Sequence, residues 1–164
     1  MERSLVLLKP DAIDRGLIGE IITRFERAGL KIAGLKMVQA TKEHAEGHYT
    51  EDLAKRRGQH VRDLMVEMLM SGPIVAIVLE GVEAVEIVRK MIGTTEPKSA
   101  APGTIRGDYS HVSFKHADSK KIGVMNLVHA SGSIEEAPQE IAVWFKPEEL
   151  LDHKPGYTKH TIAY

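Results

Sequence analysis

The sequence predicts an α+β fold: a ferredoxin-like split βαβ arrangement in which four antiparallel strands form one sheet with helices packed on it. Three observations predict it. Apolar runs of strand type occur four times, at 5–8, 30–38, 74–79 and 123–131. Segments with helical spacing separate them, in the order strand, helix, strand, helices, strand, helix, strand, helix, with no internal repeat. The chain, at 164 residues, has room for one domain around one core.

Leu5-Val6-Leu7-Leu8 is apolar throughout and is stopped by Lys9-Pro10-Asp11, because proline lacks the N–H that a strand uses. Lys9 is therefore expected to aim outward from a strand tip. Leu17, Ile18, Ile21, Ile22, Phe25 and Ala28 recur on one helical face, and Gly29 supplies the stop. Residues 30–38 alternate imperfectly, which predicts a second strand with one irregularity near Gly34. Two short helices are expected next. Thr41 caps one that runs through His48 and Tyr49; the other carries the stripe Val61, Leu64, Met65, Met68 and Leu69 and ends at Ser71-Gly72-Pro73.

Ile74-Val75-Ala76-Ile77-Val78-Leu79 has no polar position and reads as a central strand covered on both faces, ended by Gly81. Val82, Val85, Val88, Met91 and Ile92 describe an amphipathic helix closed by Gly93. Periodicity then dissolves. Residues 94–106 contain Pro97, Pro102 and Gly103, the composition of a functional loop, and 109–121 is polar and reads as an inserted surface loop or hairpin. The strand at 123–131 delivers His129 at its exit. Ser133 caps a helix bearing Glu135, Glu136 and Glu140, and Trp144-Phe145 pack its end down. The expected domain spans 1–149 and includes the long loop 93–121. The tail, 150–164, has no clear period and is expected to wrap the surface or touch a neighbouring subunit.

Hydrophobic residues at 43% and charged residues at 27% are ordinary for a globular protein and indicate neither disorder nor a membrane span. A formal net charge of -1 argues against a globally basic nucleic-acid binder. The absence of cysteine excludes disulfides and thiolate metal sites and fits an intracellular protein. Met1-Glu2-Arg3-Ser4 leads straight into a strand rather than into a signal peptide's apolar region, so a cytoplasmic location is expected.

A histidine at a strand exit is reachable from solvent and acts as base or nucleophile at one ring nitrogen while the other is held. Lys9 follows the first strand, Arg89 lies in the helix after the third, and Arg106 stands in the long loop. Each alone is what a solvated surface shows. Together, with Thr95 and Asn126 as neutral donors, they suit a polyphosphate near His129, because phosphoryl transfer is mainly positioning and charge neutralisation. No Walker or kinase-type glycine loop is present, so side chains must build the site.

Leu8-Lys9-Pro10-Asp11, Arg15-Gly16-Leu17-Ile18-Gly19, Pro102-Gly103-Thr104-Ile105-Arg106-Gly107-Asp108 and Asn126-Leu127-Val128-His129-Ala130-Ser131 resemble the nucleoside diphosphate kinase family, in order, from Ser4 to about Glu149. The resemblance implies transfer of the terminal phosphate of a nucleoside triphosphate to a nucleoside diphosphate. The route is ping-pong, through a phosphohistidine on His129, with Mg2+ carried by the nucleotide and no metal ligand from protein side chains. It implies that Glu140 orients the imidazole and that Lys9 and Tyr49 flank the transferred phosphate. Arg89, Thr95 and Arg106 would hold the diphosphate, Asn126 the sugar hydroxyls, and Ser131 would help at the reacting end. The implied partners are nucleoside di- and triphosphates and further copies of the chain, as a hexamer or tetramer, with neither membrane nor nucleic acid expected.

Four positions depart from the family pattern. Val61 stands where a phenylalanine usually stacks on the base, and offers an apolar contact without a π-face. Gly132 replaces an acidic residue, and the segments 55–60 and 109–121 are longer than usual. Two other readings compete with the enzyme: a non-catalytic nucleotide or nucleic-acid binding module of the same fold, and a phosphocarrier that passes phosphate to a protein.

Overall fold

A computed structural model describes residues 1–162. Four strands, β1 (Glu2–Leu8), β2 (Lys31–Gln39), β3 (Pro73–Gly81) and β4 (Val128–Ala130), form one antiparallel sheet in the order β2-β3-β1-β4. This is the split βαβ sheet that the sequence predicts. β1 and β3 are central and pair from Glu2↔Gly81 to Leu8↔Val75, which is why both read as unbroken apolar runs.

Helices cover both faces. Val6, Leu8, Val75, Ile77 and Leu79 point to one side, where Ile21 and Phe25 of α2 (Ile18–Arg27) and Val88 and Ile92 of α6 (Ala84–Ile92) close the core. Leu5, Leu7, Ala76 and Val78 point to the other. There they meet Ala45 of α3 (Lys42–His48), Leu69 of α5 (Gln59–Met70), and Ile141 and Trp144 of α9 (Glu136–Trp144). Each fully buried large apolar side chain contributes about 1.5–3 kcal/mol relative to exposure.

Several local expectations are corrected. Pro10 does not merely stop β1; it opens a short helix, α1 (Pro10–Asp14), since proline suits a first turn whose N–H groups are free. Lys9 is thereby the N-cap of α1, and at 1% exposure it points inward rather than out to solvent. Three helices, not two, follow β2. The unexpected one, α4 (Glu51–Arg57), buries no residue and has no apolar stripe to reveal it. Its acidic first turn and basic last turn suit the helix dipole, and Arg56 pairs with Asp52 at 2.7 Å. On α5, Val61 is exposed while Arg62 turns inward, so the stripe begins one turn later than its spacing suggests. Val82 precedes α6 and is also exposed.

The segment 109–121 forms no hairpin. It holds the end of α7 (Ile105–Tyr109) and all of α8 (Phe114–Lys120), which Ser113 caps by accepting the His116 N–H at 3.1 Å. The run 123–131 yields only three strand residues, because Leu127 has a left-handed backbone, φ 69°, and pairing starts after it. The irregularity near Gly34 is a β-bulge between Ile32 and Gly34. A Cβ on Gly34 would meet Leu150 Cδ2 at 2.8 Å, so the bulge makes room for the tail. That tail follows β2: the Leu151 N–H donates to Ala33 O at 2.8 Å, Lys36 pairs with Glu149 at 2.7 Å, and a last short helix, α10 (Thr158–Thr161), ends the described chain. Residues 163–164 of the expected tail lie outside the described residues.

Phe25 is fully buried at the centre of the first face. Phe25→Ala is expected to lower the unfolding free energy by about 3–5 kcal/mol, read as a shift of the urea midpoint with little change in slope.

Candidate active site

The site is built on a strained turn. Val6, Leu7 and Leu8 of β1 pair with Ala130, His129 and Val128 of β4, which sets His129 on the face that carries α3 and α9. Just upstream, the Val128 N–H donates to Asn126 O at 2.8 Å across Leu127, closing a tight turn that a non-glycine residue adopts at a cost of about 1–3 kcal/mol. Three groups hold it. The Leu127 N–H donates to Asp11 Oδ2 at 2.9 Å, and Leu127 O accepts the Lys9 N–H at 2.8 Å. Arg106 donates from Nε to Asn126 O at 3.1 Å, from Nη2 to Val128 O at 2.6 Å and from Nη1 to Gly93 O at 2.9 Å.

His129 Nε2 lies 2.8 Å from Glu140 Oε1. A carboxylate accepts, so the proton sits on Nε2 and the lone pair on Nδ1. Burial alone would push the Glu140 carboxyl up; the His129 hydrogen bond and charge, the Ser131 hydroxyl and Arg89 outweigh it and hold the carboxyl below its usual range. The His48 ring stands edge-on to the His129 ring at 4.3 Å between centroids, and His48 Nδ1 accepts from Trp144 Nε1 at 3.5 Å. Burial pushes the His48 pKa well below its ordinary value, and the charges of His129 and Lys9 push the same way, so His48 is neutral.

Beside His129 opens a cavity of about 420 Å³, lined by Lys9, Tyr49, Arg89, Thr95, Arg106 and Asn126. All six are residues that the sequence singles out. Lys9 Nζ donates to Asn126 Oδ1, and Asn126 Nδ2 donates to Thr95 O at 2.8 Å. Burial pulls the Lys9 pKa down to about 8, with Asp11 opposing and Arg106 adding to the fall. Burial likewise lowers Arg106 to about 10, helped by Arg89 and opposed by Tyr49 and Asp11. Tyr49 is pushed up, first by burial and then by Glu140, and stays a neutral phenol. Concentrated positive charge in a part-enclosed cavity suits a polyanion.

Glu140 stands behind His129, away from the cavity wall. Ser131 is fully buried and accepts the Leu5 N–H at 3.0 Å, and its hydroxyl is among the groups that hold the Glu140 carboxyl down. Val61 is not brought to the cavity: it is 38% exposed, and Met65, one turn on, lines the wall instead. Sequence reasoning missed four groups. Asp11 reads only as part of a strand stop, and His48 only as the end of a helix. Arg62, which donates from Nε to Tyr49 O at 2.8 Å, is a polar residue in an apolar stripe; Glu136, which lines the cavity with Gly132, is one of several acids on its helix.

Because Lys9 titrates at about 8, it is charged at pH 7 and neutral above. Tripolyphosphate affinity is expected to hold steady below that pH and then fall by up to about tenfold per pH unit as the ammonium deprotonates. Lys9→Met should bind tripolyphosphate more weakly at pH 7 and lose this step. Calorimetric titration across the range checks both.

A family model described as nucleoside diphosphate kinase matches residues 2–150. The nucleoside diphosphate kinase of Staphylothermus marinus is 51% identical over 151 residues, spanning 92% of this chain and 97% of the relative. A solved nucleoside-diphosphate kinase from Borrelia burgdorferi, a transition-state mimic with bound vanadate and ADP, superposes with a TM-score of 0.97 at 40% identity, covering 99% of this chain and 98% of that one. A halophilic nucleoside diphosphate kinase from Halobacterium salinarum, in complex with CDP, gives a TM-score of 0.83 at 38% identity, covering 98% and 97%. Sequence likeness over nearly the whole length and the same fold agree with a histidine poised beside a cationic cavity, and the chain belongs to the nucleoside diphosphate kinase family.

Proposed function

We propose that the chain moves the terminal phosphate of a nucleoside triphosphate to a nucleoside diphosphate by way of His129. The observation that carries this reading is the pairing of His129 Nε2 with Glu140 at 2.8 Å, which leaves Nδ1 as the nucleophile beside three cations. Nδ1 attacks the terminal phosphorus in line; the N–P bond forms as the bridging P–O bond breaks, and the diphosphate leaves with that oxygen. The ring gains positive charge while keeping its Nε2 proton, and Glu140 balances it. No general base is needed. Arg89, Arg106 and Thr95 would hold the diphosphate and Lys9 and Tyr49 the transferred group. Asn126 would reach the sugar, and the same steps in reverse would load a second diphosphate.

Magnesium would enter on the nucleotide and supply charge neutralisation along the phosphates. The wall suits that form: it offers three cations against one carboxylate, Glu136, and so no ligand cluster for a bare hard ion. His48, His129 and Glu140 place ligand atoms within 4.8 Å of one another, but two are nitrogens, and His129 Nε2 is already committed to Glu140. With Val61 off the wall, the base would meet apolar side chains such as Met65 in place of a stacking phenylalanine, consistent with broad base tolerance.

The domain would span 1–149 and the tail 150–164, whose described part runs beside β2 at Leu151 and Asp152. A homo-oligomer, hexamer or tetramer, is supported by Leu35 and Met37, exposed on the edge strand β2. No described helix is long and apolar enough to cross a membrane, and a cytoplasmic location is part of this reading.

Protein incubated with magnesium and γ-labelled ATP is expected to take up acid-labile, base-stable label that a GDP chase removes as GTP. His129→Ala should take up none, and Glu140→Gln should lower kcat by about 10²-fold with a smaller change in KM. Label that GDP does not remove would indicate a phosphocarrier, and no label on folded protein would leave a binding module.

A further inference from the structure

The cavity that would receive a polyphosphate contains one acid. Glu136 opens α9 and lines the wall that also carries Lys9, Arg89 and Arg106. Its place depends on Gly132. A Cβ built on Gly132 would lie 2.4 Å from Glu136 Oε2, so the carboxylate fills the space that a side chain at 132 would take. Folding back over that glycine brings the charge to the cavity wall instead of leaving it on the outer face of the helix.

A carboxylate against a polyphosphate is repulsive unless a cation stands between them. We infer that Glu136 is a specificity-determining residue that faces the divalent cation carried by the nucleotide, and that it makes the site prefer the chelated nucleotide over the free one. The inference rests on the functional reading above. Through the hydration shell of the cation, Glu136 attracts the complex; without the cation, the same charge repels the bare phosphates. One residue therefore acts with opposite sign on the two forms of one ligand. A purely structural role, an acid stabilising the N-terminus of α9, acts alike on both and leaves their ratio alone.

The test is calorimetric: ADP is titrated into the folded protein in excess magnesium and again in EDTA, and the ratio of the two dissociation constants is compared among variants. Glu136→Gln is expected to shrink the wild-type preference for the magnesium form by about tenfold, mainly because free ADP binds more tightly once the charge is gone. Glu136→Ala should shrink the preference likewise and also vacates that space, so adding Gly132→Asp to Glu136→Ala returns a carboxylate there and should restore the preference. A Glu136→Gln ratio equal to that of wild type overturns the inference, whatever happens to the absolute affinities. So does a Gly132→Asp/Glu136→Ala variant that keeps the Glu136→Ala ratio. If wild type binds ADP in neither condition, the functional reading itself fails; an unchanged ratio with binding intact removes only the role of Glu136.

Discussion

The arrangement depends on a backbone conformation that does not hold itself. Leu127 sits in the left-handed region with no glycine to make it easy, at the point where an irregular segment becomes β4. A strand of three residues has little pairing to offset that strain, so side chains do it. The Arg106 guanidinium grips the carbonyls of Asn126 and Val128, and Asp11 takes the Leu127 N–H. Release the turn, and His129 loses its register against Leu7 and with it the distance to Glu140.

The electrostatics carry a similar tension. Lys9 and Arg106 are nearly buried, and their lowered pKa values express the cost of keeping charge away from water. Part of that cost is met by Asn126 Oδ1 and by backbone carbonyls. The rest stands as unbalanced positive potential in the cavity, which an arriving polyanion relieves. The free protein is thus less comfortable than the loaded one, and binding draws on strain already present in the fold. Burial keeps Tyr49 and His48 neutral; Tyr49 lines the cavity and His48 packs edge-on against the His129 ring.

Much of this was legible in the sequence because the relevant signals are local. Apolar runs marked β1 and β3, a proline and a glycine marked their ends, and the run to His129 announced a strand exit. The cavity-lining residues Lys9, Tyr49, Arg89, Thr95, Arg106 and Asn126 were found through motif order rather than periodicity. What escaped had no local signature. α4 offers only Leu53 and Ala54, adjacent and half-buried, so hydrophobic spacing is silent. Lys9 reads as exposed because lysine usually is; only the cavity explains its burial. The full strand expected over 123–131 fails at Leu127, where tertiary hydrogen bonds override a β-favouring run. Val61 keeps the stripe's spacing but lies on the wrong side of α5, since Arg62 claims the inward position to hold Tyr49.

The grip of Arg106 on the backbone bears on how related sequences are to be read. Its guanidinium uses three donors on carbonyls before any ligand arrives, and a Cβ on the neighbouring Gly107 would fall 2.0 Å from the carbonyl oxygen of Ala101. Both residues therefore answer to folding as much as to chemistry. A descendant that abandoned phosphate transfer would still need them to keep its shape, whereas nothing in the backbone requires an imidazole at 129 or a carboxylate at 140. In a newly met relative, the arginine–glycine pair testifies to ancestry, and only the histidine with its glutamate testifies to a living enzyme.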